Sequence, residues 1–485
     1  MQNSYNFSGD LYNTEALAIS TDGGNSWERT GPLGHGLDLQ IHPEDPSIVY
    51  MGTFAQGLFK STDGGNNWNR VQAWDGISGL DGTIGITSME TTQDGTLYVA
   101  MGSFDESVIY WGTNSGTQSG TGGLYYSTDD GDSFQEVTGS ATAISQIWRD
   151  PSQPNKIYVA GNLNQVIENS TVTTSDITDF LGTGEDVKVS GDGSVVFYIT
   201  INGSSRKYYY STNYGGTWTN ITLGLPGSGL RRAESTVTDV VNDQGNFNVY
   251  VSSSNSAGNL YGIYMSEDNG ATWTNIGPGG SSIFEPYRGQ GGYNQVISYI
   301  PGKPDQCIIG GIDLYHWEKT PGSSPAFGGW QQVSLWSNPV TSPTYVHADN
   351  HEMKWNAAGT FWYGNDGGVG SSFGTPPNGI FYPANRGYNV TQFYHMGFNS
   401  EGHVIGGTQD NGTLYNDYTL SSALQFEEVR GGDGFGCEFS HYNPEAMLST
   451  VYYTAISIDC DSHPNNSFFI TFLLYFSFAY QRPAS

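Results

Sequence analysis

The chain has 485 residues, 47 of them acidic and only 17 lysine or arginine, for a formal net charge of −30. That excess argues against nucleic-acid backbones and anionic membrane surfaces as partners, because both are held by basic patches. The same acidic excess favours neutral ligands, cations or simply solubility in a salty medium, a solvated acidic surface being the plainest reading, while 67 glycines indicate a backbone rich in tight turns.

In chain order, the opening MQNSYNFSGDLYN has neither a basic start nor an apolar run, so a removed leader or a fragment is expected. A phrase then recurs five times: STDGGNSW (Ser20 to Trp27), STDGGNNW (Ser61 to Trp68), STDDGDSF (Ser127 to Phe134), STNYGGTW (Ser211 to Trp218) and SEDNGATW (Ser266 to Trp273). Each follows an apolar stretch such as GLFK or GLYY, and most precede a short polar strand. Asp accepts backbone N–H bonds within a tight turn, and Gly supplies the positive φ that such turns need. Asp22, Asp63, Asp129 and Asp268 are therefore expected to be structural, with Trp27, Trp68, Trp218 and Trp273 packing back over the hairpins.

Between these phrases, apolar strands flank proline-containing turns, as in LDLQIHPEDPSIVYMGT (Leu37 to Thr53) and ISYIPGKPDQCIIGG (Ile297 to Gly311). No long stretch has apolar residues at helical spacing, so the fold class is all-β. Sheets of four antiparallel strands around an axis make a β-propeller. Blades are expected near 37–72, 83–138, 142–180, 185–222, 236–277, 290–334, 346–383 and 391–430, after a partial blade before residue 32. The count fits tandem seven-bladed rings with the second incomplete, or one ring of about ten blades. The expected divisions are 1–335 and 336–456, both propeller, and a non-propeller tail, 457–485, that reads as truncated or frame-shifted. Cys307, Cys437 and Cys460 are too few for a disulfide framework and match no zinc spacing, so they read as small buried hydrophobes.

Propeller topology puts the links between blades and the turns from second to third strand on one face, where loops converge. HADNHEMKW (His347 to Trp355) reads as an innermost strand, and alternation would place His347, Asp349 and His351 on one side. NDGG brings Asp366, QDNG brings Asp410 and GGDG brings Asp433 to the same rim, while the link NRGYNVTQFY carries Arg386, Tyr388 and Gln392. His347, Asp349 and His351 could hold a divalent cation, calcium or zinc; the other reading is a hydrogen-bonded polar plug that requires no cofactor.

The five phrases resemble the Asp-box repeat (BNR repeat) of sialidases, xyloglucanases and sortilin-type propellers. The order His-x-Asp-x-His, Asn-Asp-Gly-Gly-Val, Gln-Asp-Asn-Gly is similar to that in secreted bacterial propellers labelled glycosyl hydrolases. The resemblance implies an extracellular or cell-surface protein, and the apolar run Phe468 to Phe478 is too short to span a bilayer, so no membrane insertion is expected. Xyloglucanases carry a catalytic Asp in a Thr-Asp-x-Gly-Gly phrase, but the matching stretch here is Thr53-Phe54-Ala55-Gln56-Gly57. The Phe/Tyr-Arg-Ile-Pro opening of sialidases is absent.

The expected base function is recognition of a glycan or an extracellular protein on the loop-rich face. Glycoside hydrolysis is the alternative, with Asp349, Asp366, Asp410 and Asp433 as the acid/base pool and Arg386, Tyr388 and Gln392 as ligand contacts. A structural module of a larger secreted protein is the third reading.

Overall fold

The recurring phrases fold as their residues dictate. Ser61 Oγ donates to Asp63 Oδ1 at 2.8 Å and accepts the Gly65 N–H at 2.9 Å, while Asp63 Oδ1 accepts the Asn67 N–H at 2.8 Å. The pattern repeats at Ser20/Asp22, Ser127/Asp129 and Ser266/Asp268, and Asn213 plays the aspartate's part after Ser211. Gly64 and Gly65 close the turn at φ +71° and +94°, a region open to glycine. Hydrogen bonds, led by that from the Ser133 side chain, hold Asp129 down at about 2. These carboxylates are engaged inside their own turns.

The computed structural model describes residues 17–32, 36–53, 56–78, 84–103, 122–174, 182–221, 223–277, 284–323, 327–385, 391, 393–416, 426–440, 446–451 and 455–459. They divide into two compact units, one within 4–388 and the other within 389–485. The fold is a β-propeller of four-stranded antiparallel blades, with one short helix, Gln72–Ser78, among the described residues.

The first unit holds seven four-stranded sheets in sequential strand order. Their first strands are Gly36–Ile41, Ile84–Thr91, Ile144–Arg149, Thr183–Val189, Leu230–Val241, Val296–Ile300 and Asn350–Trp355. Each of the first six touches the first strand of the blade that follows it, so together they form the inner wall. Sheets flanked by neighbours are covered on both faces, which is why second strands such as Val49–Thr53 and Lys156–Gly161 are buried at every position. The cores lie between blades: Tyr250, Ile263 and Met265 of the fifth pack against Ile309 and Trp317 of the sixth. Burying each such side chain contributes about 1.5–3 kcal/mol.

Asp-box turns also join blades. A Cβ on Gly215 would lie 2.8 Å from Val166 and 3.0 Å from Tyr158 of the preceding blade. The hairpin Ala18–Ile19/Glu28–Arg29 does this twice. Trp27 Nε1 donates to the Ala384 carbonyl of the seventh blade, and Thr30 Oγ1 donates to Gly65 O of the first at 2.7 Å. The hairpin thus sits between the seventh and first blades.

The second unit contains a four-stranded sheet starting at Phe393–Phe398 and a three-stranded sheet of Gly434–Phe439, Met447–Val451 and Ala455–Asp459. Cys307 and Cys437 are buried free thiols. Cys460 and the rest of the tail lie outside the described residues.

Candidate functional site on the loop-rich face

The His-x-Asp-x-His segment is not the regular strand that alternation predicts. The strand begins at Asn350, Asp349 has φ +64°, and the pairing register shifts between Asn350 and Glu352. Asn350 causes the departure: its backbone N–H and its Nδ2 both donate to Gly311 O, at 2.8 and 3.0 Å, pinning the chain to the sixth blade. A turn rather than a strand face brings the polar groups together.

Asp366 projects from the turn between Phe361–Asn365 and Gly368–Phe373. Its carboxylate accepts the Tyr293 hydroxyl at 2.8 and 3.1 Å and meets His351 Nε2 at 2.7 Å. The Tyr293 ring stands edge-on to His351, with centroids 4.6 Å apart. Asn294 Nδ2 donates to Asp349 Oδ1 at 2.6 Å. Burial pushes the Asp349 carboxyl up; the charge on Asp366 adds to this, while the Asn294 bond and His351 and His347 oppose it. Gly367 makes room for His347, whose ring would lie 2.4 Å from a Cβ there.

Asp349, Asp366, His347 and His351 therefore converge, with Tyr293 and Asn294 as partners that motif reading missed. Both sit in the link before the sixth blade, within GGYNQV, and polar residues in such a link were the available signal. Among the described residues no group of three His, Cys, Asp or Glu is disposed to hold a metal ion. His347 Nδ1 lies 3.2 Å from Ala348 O, and His351 is turned to Asp366.

Asp410 and Asp433 belong to the second unit. The Asp410 N–H donates to Asp433 Oδ1 at 2.8 Å, and Asp410 takes φ +57°. Tyr394 and Phe435, both partly exposed, stack with centroids 4.9 Å apart and planes 10° from parallel. Burial and the two aspartate charges push the Tyr394 hydroxyl up. Arg386, Tyr388 and Gln392, like Phe54, lie outside the described residues.

Behind Tyr293 the inner wall carries buried ion pairs. Arg232 donates to Tyr293 O at 3.4 Å and pairs with Glu234 at 2.7 Å. Arg206 grips Glu185 through Nε at 2.6 Å and Nη2 at 2.8 Å. Burial pushes Glu185 up to about 7 against the pull of Arg206.

Blades joined through Asp-box turns, with polar groups gathered where the links meet, define an Asp-box β-propeller. The family model for sortilin, neurotensin receptor 3 (Sortilin-Vps10) matches residues 15–276, more than half of the chain. The chain belongs to the Sortilin-Vps10 family.

A comparison with curated proteins finds no match. Among solved structures, the chain is similar to an ancestral GH74 enzyme at 16% identity and a TM-score of 0.47, covering 93% of this chain and 65% of that one. It thus spans just under two thirds of that enzyme. The GH74 xyloglucanase from Xanthomonas campestris is similar at 12% identity and a TM-score of 0.40, covering 93% of this chain and 76% of that one. The Dos1 propeller gives 12% identity and a TM-score of 0.48, covering 79% of this chain and 87% of that one. Among the described residues, no helix is long and apolar enough to cross a membrane.

Proposed function

We propose that the protein is an extracellular recognition propeller that binds glycan on its loop-rich face. The observation that carries this reading is the convergence of Asp349, Asp366, His351, Tyr293 and Asn294, held by mutual hydrogen bonds, on one rim. Carboxylates, an amide and a phenol fixed in place suit the vicinal hydroxyls of a sugar, because each hydroxyl both donates and accepts. The net charge of −30 disfavours polyanionic ligands.

Glycoside hydrolysis is the second reading, favoured by the asymmetry of the two acids. Asp349 is pushed toward its protonated form, while Asp366 accepts two donors that suit an anion. Glycosidases divide general-acid and anionic roles between two carboxyls in this way.

One experiment tests both. A panel of neutral plant and algal polysaccharides is assayed for binding and for released oligosaccharide, with the parent protein and the Asp349→Asn/Asp366→Asn variant. Binding without release, weakened at least tenfold in the variant, is the expected result. Release abolished by the variant would replace recognition with hydrolysis. Binding to a protein ligand and to no polysaccharide would refute the glycan assignment.

A further inference from the structure

The inner wall of the first unit encloses a second polar site that the rim does not use. A cavity of about 450 Å³ is lined by several first strands, by Asp38 near the middle of one and by Glu90, Trp148, Arg149, Tyr299 and Lys354 in the later halves of others. These positions lie toward the end of the wall where the Asp-box turns are, since first strands run away from the links that open them.

Its charges are arranged in balance. Asp38 is anchored: Oδ1 accepts the Leu39 N–H at 2.7 Å and Oδ2 accepts the Met89 N–H at 2.5 Å. The Glu90 side chain is only 16% exposed, and its carboxylate faces Arg149 Nε at 3.4 Å, too far for a strong hydrogen bond. Lys354 acts on both acids from the seventh blade and also reaches Glu352, at 3.2 Å. With Lys354 also paired to Glu352, Asp38 and Arg149 offset one another and a largely protonated Glu90 adds no charge, so an ion of either sign gains little from entering. Donors and acceptors line a space large enough for one small ligand. The indole of Trp148, with Lys188 Nζ 4.9 Å from its ring centroid, adds an aromatic wall.

We propose that this cavity binds a small, neutral, polyhydroxylated molecule of monosaccharide size. Glu90 and Asp38 accept from ligand hydroxyls, and Arg149 and Lys354 donate to them. Burial, helped by the charge on Asp38, pushes Glu90 up to about 8, so near neutral pH its carboxyl can also donate. The site is separate from the rim, because none of its lining residues belongs to the Asp349/Asp366 cluster.

The test is calorimetric titration of the full chain with a panel of free neutral monosaccharides and polyols. It compares the parent protein with Glu90→Ala, Asp38→Asn and, as a rim control, Asp366→Asn. Binding weakened at least tenfold by Glu90→Ala and unchanged by Asp366→Asn is expected. Absence of binding by the parent protein across the panel would overturn the proposal, as would full affinity in Glu90→Ala. Loss in Asp366→Asn with retention in Glu90→Ala would assign the ligand to the rim and likewise overturn it. Circular dichroism and melting of each variant separate lost binding from lost folding.

Discussion

Replacing Arg206, on the third strand of the fourth blade, with methionine should be among the most damaging single changes behind the inner wall. The guanidinium makes the two bonds to Glu185 and also donates to Gly203 O at 3.0 Å, Leu230 O at 3.3 Å and Arg231 O at 2.7 Å. Its side chain is fully buried and that of Glu185 is 3% exposed. It thereby ties the fourth blade to the first strand of the fifth. Removing one partner of a buried ion pair leaves the other charge uncompensated, at a cost of about 3–5 kcal/mol. Removing both in Arg206→Met/Glu185→Met takes away that charge, so the double variant should recover at least about 2 kcal/mol relative to the single one. Urea unfolding followed by tryptophan fluorescence, with m-values compared, measures both. A single-variant cost below about 1 kcal/mol, or a double variant as unstable as the single, would refute the reasoning.

Two glycines separate backbone strain from packing between blades. Gly64 and Gly215 have φ +71° and +76°, but a Cβ on Gly64 meets nothing within 4 Å while one on Gly215 meets Val166 and Tyr158. Gly64→Ala should cost about 1–2 kcal/mol and Gly215→Ala clearly more; equal melting temperatures would contradict this. Glu90 gives a pH signature. Its folded value, about 8, lies above the ordinary 4.5, so the folded state holds a proton that the unfolded state releases. That contribution is fully present below pH 4.5 and is lost as pH rises through 8, at up to about 1.4 kcal/mol per pH unit. Glu90→Gln should flatten the stability profile over this window, and an unchanged slope in denaturation series would show that Glu90 is ionised throughout.

The Asp boxes were legible in sequence because their bonds are local: Ser61 to Asp63 spans two residues and Asp63 to Asn67 spans four. Short-range chemistry of that kind survives in any context, and so do the apolar runs that become doubly covered second strands. The eight four-stranded blades among the described residues follow the ranges that the repeated phrases mark out. The site was only half legible. His347, Asp349, His351 and Asp366 stand in recognisable phrases, but Tyr293 reaches Asp366 across 73 positions and Asn294 reaches Asp349 across 55. No local pattern encodes those pairings.

Alternation also failed at Asp349, because Asn350 is fixed by a carbonyl of another blade and the chain turns there to satisfy it. The cavity acids follow the same rule. Asp38 accepts the backbone of Met89, 51 residues away, and Glu90 faces Arg149 of a third blade. The alternate polar positions in LDLQI, TSMET and SQIWR were a visible sign of an inner wall with a polar side. By itself the sequence determined the repeated hairpin, the strand order and the all-β class, since each rests on contacts within one blade. Only the tertiary structure decided which carboxyls share a site, because curvature of the wall brings together strands that no single repeat contains.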